Sequence, residues 1–447
     1  GTLTYEDVTN IDSVGIITAR SGIVVSGGEV SVGAAFSVSQ AGVVTATSYY
    51  GDGSNLSNIT STTINNNADN RLITGSGTAN TLNGESTLTY DGVNFKVGTG
   101  VTIATTSGVA TFRSGIIDVG DSLYNTGVGE GVFSSLTTGQ NNTAVGLNVL
   151  TANTTGEANA AIGAGALDAN TTGSENTGLG RGALGANTTA DHNTGVGYDA
   201  LLANTTGTQN TAVGSGALSS NTTTSNNIAV GYKALNANTA AYGTAVGHEA
   251  LRDNTTGTRN TAIGNAAMTV NTTGGYNVAV GVNVLDANTT ASYNTAVGDS
   301  AMTANTTGAF NTAVGFEALK VNTTASNNTA FGYQALVANT EGDTNTAIGR
   351  QAMYTNTVGD RNVAVGNGAL YTYNPSSNED GFNVAIGYGA INAATTGNKN
   401  VAVGGDALTT LTTVSGITAI GHQALQANTS GTGGVGVGYR ALKANTT

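Results

Sequence analysis

The stretch NTAVGLNVLTANTTGEA, residues 142–158, decides the fold, because close variants of it fill most of the chain. Aligned on the glycine that ends NTAVG, the unit occurs in 19 copies. Sixteen of the 18 steps between copies are 17 residues long, one is 16 and one is 21. A fixed period of this kind predicts a repeat architecture in which each unit packs on its neighbours. The aligned glycines are Gly129, Gly146, Gly163, Gly180, Gly197, Gly214, Gly231, Gly247, Gly264, Gly281, Gly298, Gly315, Gly332, Gly349, Gly366, Gly387, Gly404, Gly421 and Gly438.

The composition of the unit indicates β-structure. Repeats built from helix pairs need about 33 residues or more, so a 17-residue unit is too short for them. Asn, Thr, Gly and Val at this density oppose helices and favour short strands joined by tight turns. We therefore predict an all-β fold, a parallel β-solenoid or β-roll with one coil per repeat and two short strands per coil. Coils about 4.8 Å apart would extend the array over roughly 85–90 Å.

Two positions in the unit are always large and apolar. They are the residue before the aligned glycine, such as Val145 and Ile162, and the fourth residue after it, such as Leu150. We expect both to fill the coil. The residue two before the glycine is always Ala or Gly, such as Ala144, and it should point to the opposite face. This small-residue face predicts close approach of another copy and a homotrimer; alternatively, the alanines merely face solvent.

Asparagine recurs in two columns of the alignment. It stands seven residues after the glycine in 15 of 19 copies, as at Asn153, and four before it in 16 of 19, as at Asn142. Stacked Asn side chains form hydrogen-bonded ladders, and Asn tolerates the left-handed backbone of corners. Nearly all charged residues of the array fall at the variable positions, which we expect to be exposed corners, among them Arg181, Asp199, Lys233, Glu249, Arg252, Glu317, Lys320, Arg361 and Asp406.

Composition and charge exclude several classes of function. The net charge is −13, and only 14 Lys and Arg residues are spread over 447 positions. Nucleic-acid binding needs a basic patch, so neither it nor adsorption to anionic membranes is expected. The chain has no Cys for disulfides or thiolate sites, and no apolar run that suits a membrane span or a signal peptide. It begins at Gly1 rather than Met and ends within a repeat, which suggests a segment of a longer polypeptide.

Residues 1–122 lack the 17-residue period. We assign N-terminal β-modules to residues 1–59 and a linker with a second β-module to residues 60–122, ahead of the array at 123–447. Short apolar runs begin after glycines in this part, and Asp52-Gly53 and Asp91-Gly92 predict turns. The Asn-rich stretch at residues 60–70 reads as a linker.

The array resembles the head repeats of trimeric autotransporter adhesins, and still more the N-T-A-x-G-x-x-A-L-x-x-N-T-T-G arrays of phage tail-fibre proteins. The phrases EDVTNI (residues 6–11), GVVTAT (42–47) and GDGSNL (51–56) resemble structural proteins of marine cyanophages. The resemblance implies a left-handed, homotrimeric β-roll with an adhesive function on a virion or cell surface. No catalytic residue of these families has a counterpart in this sequence.

Motifs that carry chemistry are weak in this chain. Gly180 to Gly185 reads G-x-G-x-x-G but lies within the repeat, without the βαβ context of a dinucleotide site. His192, His248 and His422 are many coils apart, so exposed corners are favoured over a metal site on a trimer axis. Asn-x-Thr sequons recur, but the ladder explains their spacing better than glycosylation. Paired carboxylates do not recur. We predict no enzyme activity, no cofactor and no metal site.

The leading hypothesis is the shaft of a virion tail fibre that presents or forms a host-receptor-binding surface. A bacterial cell-surface adhesin or extracellular filament is the alternative. The partners would be the chain itself, a host glycan or protein receptor, and other virion or cell-surface proteins. The paired threonines after Asn153 also suggest an ice-binding solenoid. Aromatic residues just after the aligned glycine are either packed corners or a stacking platform for glycans: Tyr198, Tyr232, Phe316, Tyr333, Tyr388 and Tyr439.

Overall fold

A computed structural model describes residues 71–75, 82–90, 95–97 and 123–447. The chain divides into two compact units, Gly1–Ser114 and Gly115–Thr447. In the first unit, β1 (Arg71–Gly75), β2 (Leu82–Tyr90) and β3 (Phe95–Val97) form an antiparallel three-stranded sheet in chain order. The Asp91-Gly92 pair stands between β2 and β3 in the sequence, as expected for a hairpin. The predictions for residues 1–70 lie outside the described residues.

The second unit is a parallel β-solenoid of about 18 turns. It contains one three-residue strand per repeat, directly before each aligned glycine. These strands are β4 (Thr126–Val128), β5 (Thr143–Val145), β6 (Ala160–Ile162), β7 (Thr177–Leu179), β8 (Thr194–Val196), β9 (Thr211–Val213), β10 (Ile228–Val230), β11 (Thr244–Val246), β12 (Thr261–Ile263), β13 (Val278–Val280), β14 (Thr295–Val297), β15 (Thr312–Val314), β16 (Thr329–Phe331), β17 (Thr346–Ile348), β18 (Val363–Val365), β19 (Val384–Ile386), β20 (Val401–Val403), β21 (Thr418–Ile420) and β22 (Val435–Val437).

The strands form one ladder in which each pairs only with its neighbours in the sequence. Equivalent residues face each other at every step, so that Ala296 lies opposite both Ala279 and Ala313. The ladder has two ends, at β4 and β22. The register survives both irregular steps, because β10 pairs with β11 and β18 with β19 in the same alignment as elsewhere. The shortened and lengthened repeats therefore change a corner and leave the stack intact.

Each coil has one strand, and the expectation of two strands was wrong. The second half of the coil also bonds to its neighbour, since Leu150 donates its N–H to Ala166 and Ala152 donates to Asp168. In every coil, however, the large residue four positions after the glycine has a left-handed backbone, with φ of 50° at Leu150. An extended strand cannot pass through a residue in that conformation. The chain therefore turns there while it keeps its hydrogen bonds to the next coil.

The strand faces are the reverse of those expected. The central residue of each strand from β5 to β22, such as Ala144 or Ala212, is buried inside the coil. The large residue before the glycine points outward: Ile162 is 47% exposed and Phe331 is 54% exposed. The interior is thin, and it is filled by alanine columns and by one column of large residues that includes Leu150. The prediction for that second large position is confirmed. The close approach of another copy through the alanines was wrong, because each chain buries them itself.

Both Asn ladders are confirmed. Asn170 donates from Nδ2 to Asn153 Oδ1 in the preceding coil over 3.0 Å, and the members of both columns are buried, except Asn445 in the last coil. In the other column, Asn159 donates its backbone N–H and its Nδ2 to Asn142 Oδ1. These asparagines do not have the expected left-handed backbone. The corner residues with positive φ stand elsewhere in the coil, as at Glu175 and Asp199.

The aligned glycine is required by its conformation and by the lack of space. Its φ lies between 126° and 143° in all 19 copies, a region that L-residues avoid. At Gly298, an added Cβ would lie 2.6 Å from the carbonyl carbon and oxygen of Gly315 in the next coil. The glycines therefore stack directly upon each other, as the interpretation of one repeat per coil requires.

Candidate functional site

The corners of the coils carry the variable side chains, stacked in columns along the array. Positions are counted from the aligned glycine of each coil, so that Tyr388 is at position +1 of the coil of Gly387. The charged residues predicted at corners are all at least partly exposed. Because coils stack in register, a side chain at one position faces the same position of the next coil. Residues at the same position of successive coils, usually 17 apart in the sequence, therefore form a column along the corner surface.

The six aromatic residues predicted as a glycan platform occupy one exposed column, at position +1. Tyr198 is 52% exposed, and Tyr388 and Tyr439 are 67% and 70% exposed. The structure does not bring the six together, because other residue types separate most of them. The two that lie in consecutive coils are Phe316 and Tyr333, whose ring centroids are 5.6 Å apart.

Five of these six rings already have a stacking partner. Tyr333 lies between Phe316 and the guanidinium of Arg350, which is 5.9 Å from its ring centroid. Tyr232 stacks on His248, Tyr439 stacks on His422, and Arg181 lies over Tyr198. A saccharide stacks on a ring face, so a ring whose faces are covered presents mainly its edge. Among the described residues, Tyr388 has neither a stacked ring nor a cation over it.

A second aromatic column, which was not predicted from the sequence, lies at position −5. Tyr276, Tyr293 and Phe310 stack in three consecutive coils, with centroids 5.0 Å apart at each step. Arg259 extends the column toward Tyr242, since its guanidinium lies 5.3 Å from the rings of both Tyr242 and Tyr276. The signal was present in the sequence as aromatic residues that recur at the repeat spacing. A shorter stack joins Tyr354 and Tyr371 at position +5.

Two grooves open in the corner surface where consecutive coils both have glycine at position +2. One pair is Gly165 and Gly182, and the other is Gly368 and Gly389. All four glycines have φ between 59° and 69°. In most other coils this position holds a larger residue with left-handed backbone, such as Glu317 or Gln334. Each groove is the space that a side chain at position +2 fills in most other coils and that glycine leaves empty.

The groove beside Tyr388, here called the Tyr388 groove, has a volume of about 390 Å³. Its walls include Tyr388 at position +1 and Tyr371 at position +5 of neighbouring coils. Polar side chains complete the lining, among them Asn367, Asn392 and Asp406. Asn392 is held in place by a 2.9 Å hydrogen bond from Nδ2 to the Gly368 carbonyl oxygen. The groove thus combines aromatic faces with hydrogen-bonding groups.

The second groove, about 660 Å³ and more open, is lined in part by Arg181, Gly182 and Gly185 of the G-x-G-x-x-G stretch. Arg181 spans it and donates to the Tyr198 hydroxyl over 2.9 Å. Burial raises the pKa of Asp168 in this groove, and a backbone hydrogen bond from Ala169 opposes that rise. The motif therefore marks a notch between stacked coils and stands at no helix N-terminus.

Other polar groups on the corners stabilise the stack locally. Lys320 donates to Glu317 over 2.6 Å and Gln334 donates to the same carboxylate, and both contacts lower the pKa of Glu317. The hydrogen bond between Arg252 and Asp253 lowers the pKa of Asp253. The contacts of Glu317 with Lys320 and of Arg252 with Asp253 lie within one coil, and the contact of Gln334 with Glu317 joins neighbouring coils.

The three histidines lie on exposed corners, as expected. His192 is 3.0 Å from the Glu175 carboxylate, and the other two stack on tyrosines. No group of three or more His, Asp or Glu side chains is arranged to hold a metal ion in the described part of the chain. The first threonine of most pairs also forms a hydrogen bond to the next coil, as Thr154 does when it donates its hydroxyl to the Thr171 carbonyl oxygen over 3.0 Å.

Within the described ranges there is no helix with the length and hydropathy of a membrane span. No protein-family model matches the chain, and no curated protein is similar to it.

Proposed function

We propose that this chain forms the shaft of a virion tail fibre, with a corner surface used in attachment to the host. The observation that supports this proposal is the unbroken ladder of 19 in-register strands, together with the two buried Asn columns. Hydrogen bonds run from coil to coil around most of the circumference, so bending the array would break many of them at once. A stiff rod of about 85–90 Å is suited to holding a binding surface away from its point of attachment. The role is structural, without catalysis.

Self-association as a homotrimer is part of this proposal, through a different face from the one the sequence suggested. The outward strand positions carry Thr, Val, Ile and Leu, with Ala160 and Phe331 as the exceptions, and none of them is charged in β4–β22. A stripe about 85–90 Å long and roughly 7–10 Å wide offers on the order of 600–900 Å². In a trimer each copy divides this area between two neighbours, so flanking corner residues must add to it to reach the ~800 Å² per partner of a standard interface. Valine, isoleucine and threonine also suit packing of one sheet face on another.

Electron microscopy and a mass measurement test the shaft and its oligomeric state. Negative-stain images should show rods, and light scattering should give three times the chain mass of 44.1 kDa. Introducing charge in the middle of the stripe, with Val297→Lys and Val314→Lys together, should give monomers that keep the β-solenoid spectrum. Compact particles would contradict the rod, and a stable monomer of the unaltered chain would contradict the trimer.

A bacterial surface adhesin or extracellular filament would use the same rod, and the location of the protein on cells or virions separates the two. Labelled antibody on purified virions and on intact cells provides that test. An ice-binding solenoid is a second candidate, favoured by the outward strand face in which Thr and Val repeat from coil to coil. Thermal hysteresis of the purified chain tests it, and its absence would remove this candidate.

A further inference from the structure

We propose that the Tyr388 groove is a binding site for an uncharged saccharide. The inference rests on the proposed attachment function and gives that function a ligand class and a location. Tyr388 differs from the other five aromatic residues of its column in how its ring is covered. Their faces are covered at least in part by rings or cations, whereas Tyr388 is 67% exposed and unstacked among the described residues.

The open ring face results from a missing side chain in the next coil. Gly405 stands at the same column position as Tyr388, one coil further on. A Cβ added at Gly405 would find only His422 Cδ2 at 3.4 Å and the Tyr388 carbonyl oxygen at 4.0 Å, so the next coil has no side chain at this column position and leaves room for one. The apolar face of a pyranose ring packs on an aromatic ring in this way, because its C–H groups meet the electron-rich face.

The rest of the groove supplies the polar groups that a saccharide needs. Asn367 and Asn392 offer amide donors and acceptors, and the Asp406 carboxylate is an acceptor for hydroxyl groups. Among the described residues, Asp406 forms no ion pair that would occupy this carboxylate. A volume of about 390 Å³ lies at the small end of the 300–1,000 Å³ typical of ligand sites, which suits one or two sugar units.

Charge selects against acidic sugars. Asp406 is the one charged residue in the lining of the groove, and the chain as a whole has a net charge of −13. A carboxylate or sulfate on the ligand would meet an unpaired negative group without a cation to compensate it. Uronic acids, sialic acids and sulfated sugars should therefore bind more weakly than neutral hexoses and N-acetylhexosamines.

Saturation-transfer NMR followed by titration tests the site on the full chain. The probes are uncharged disaccharides of glucose, galactose, mannose and N-acetylglucosamine, with glucuronic-acid and sialic-acid disaccharides for comparison. At least one uncharged disaccharide should bind, and Tyr388→Ala should weaken its binding at least tenfold. Tyr333→Ala is the matched control: it removes a ring from the same column whose faces are covered, and it should leave binding within twofold of the parent.

A second variant tests the groove without removing the ring. Gly389→Gln places at position +2 a side chain that Gln334 and Gln351 already carry there with left-handed φ, so the fold should tolerate it. It should fill the groove and weaken binding at least tenfold. The proposal is overturned if no uncharged disaccharide binds, if only acidic ones bind, or if Gly389→Gln binds as the parent does. Rods seen by electron microscopy together with absent saccharide binding would leave the shaft intact and remove this site alone.

Discussion

Asn322 donates its Nδ2 hydrogen to the Oδ1 of Asn305, 2.8 Å away in the preceding coil, and both side chains are completely buried. Asn305 continues the ladder into the coil before it. Its own Nδ2 donates to Asn288 Oδ1 over 3.1 Å and to the Gly308 carbonyl oxygen over 3.0 Å. The amide is thus required as a donor on one side and an acceptor on the other. No side chain that only accepts or only donates meets both needs.

We therefore predict that Asn305→Asp destabilises the array at neutral pH by about 3–5 kcal/mol, the cost of an uncompensated buried charge. The carboxylate has no hydrogen to give to Asn288 or Gly308. Urea denaturation followed by circular dichroism measures the loss, which should lessen in acid as the carboxyl group is protonated. Asn327→Asp, at an exposed corner, is the control and should change stability by less than about 0.5 kcal/mol. Equal losses in the two variants would contradict the role of the ladder.

Replacing an aligned glycine should disrupt the stack around it. Gly298→Ala would strain a backbone with φ of 128° and place a Cβ 2.6 Å from the next glycine's carbonyl group. We expect a loss on the order of 3 kcal/mol and faster amide exchange in the coils on either side. Gly405→Ala adds a methyl group beside an aligned glycine where the nearest atom is 3.4 Å away, and it should retain the parent's exchange rates. Unchanged protection in Gly298→Ala would contradict the required contact.

The buried tyrosine at the long repeat should make the array sensitive to alkali. Tyr373 is fully buried, and burial, with the Glu379 carboxylate acting in the same direction, raises its pKa to about 12. The unfolded chain loses this proton near pH 10, so the folded state is stabilised in full below pH 10 and loses that contribution as pH rises toward 12.

Tyr373→Phe should therefore be more stable than the parent above pH 10 and differ from it by no more than about 1 kcal/mol at pH 7. Thermal melts at pH 7, 10 and 11.5 measure the difference. Tyr371→Phe, at the neighbouring corner, is the control and should follow the parent at each pH. A constant difference between Tyr373→Phe and the parent would show that ionisation at this position does not matter.

One β-branched residue occupies the left-handed core position. Ile391 has φ of 51°, where the other coils have Leu, Met or Phe. Branching at Cβ makes that conformation unfavourable, and leucine has the same volume. Ile391→Leu should gain about 0.5–1 kcal/mol, and the reciprocal Leu408→Ile in the next coil should lose a similar amount. Denaturation midpoints of the two variants measure this pair of opposite shifts, and shifts of the same sign would contradict it.

The stacking of one repeat per coil was predictable. The constant period, the large residue at Leu150 and the Asn columns all indicate that equivalent positions of successive repeats lie on top of each other. The direction of the strand faces was not. Ala144 and Val145 are both apolar, so alternation alone does not say which of them points inward. The useful signal was the limit on size: a position restricted to Ala and Gly lies where volume is constrained, and here that is the interior.

The candidate site was predictable only in part. Tyr388 was identified as an exposed aromatic, but five similar residues were chosen with it. Its difference depends on what the next coil places against the ring, namely Gly405, and that is visible only when the repeats are read as stacked columns. The same reading locates both grooves, since each requires glycine at position +2 in two successive repeats, as at Gly368 and Gly389.

The paired glycines at position +2 have an evolutionary consequence. One altered codon at Gly368 or Gly389 would close a cavity, and one altered codon elsewhere, next to an existing glycine, would open another. Position +2 has a left-handed backbone in every coil, so neither change requires a different main-chain conformation. The set of grooves can therefore change from coil to coil while the β-solenoid that carries them stays the same.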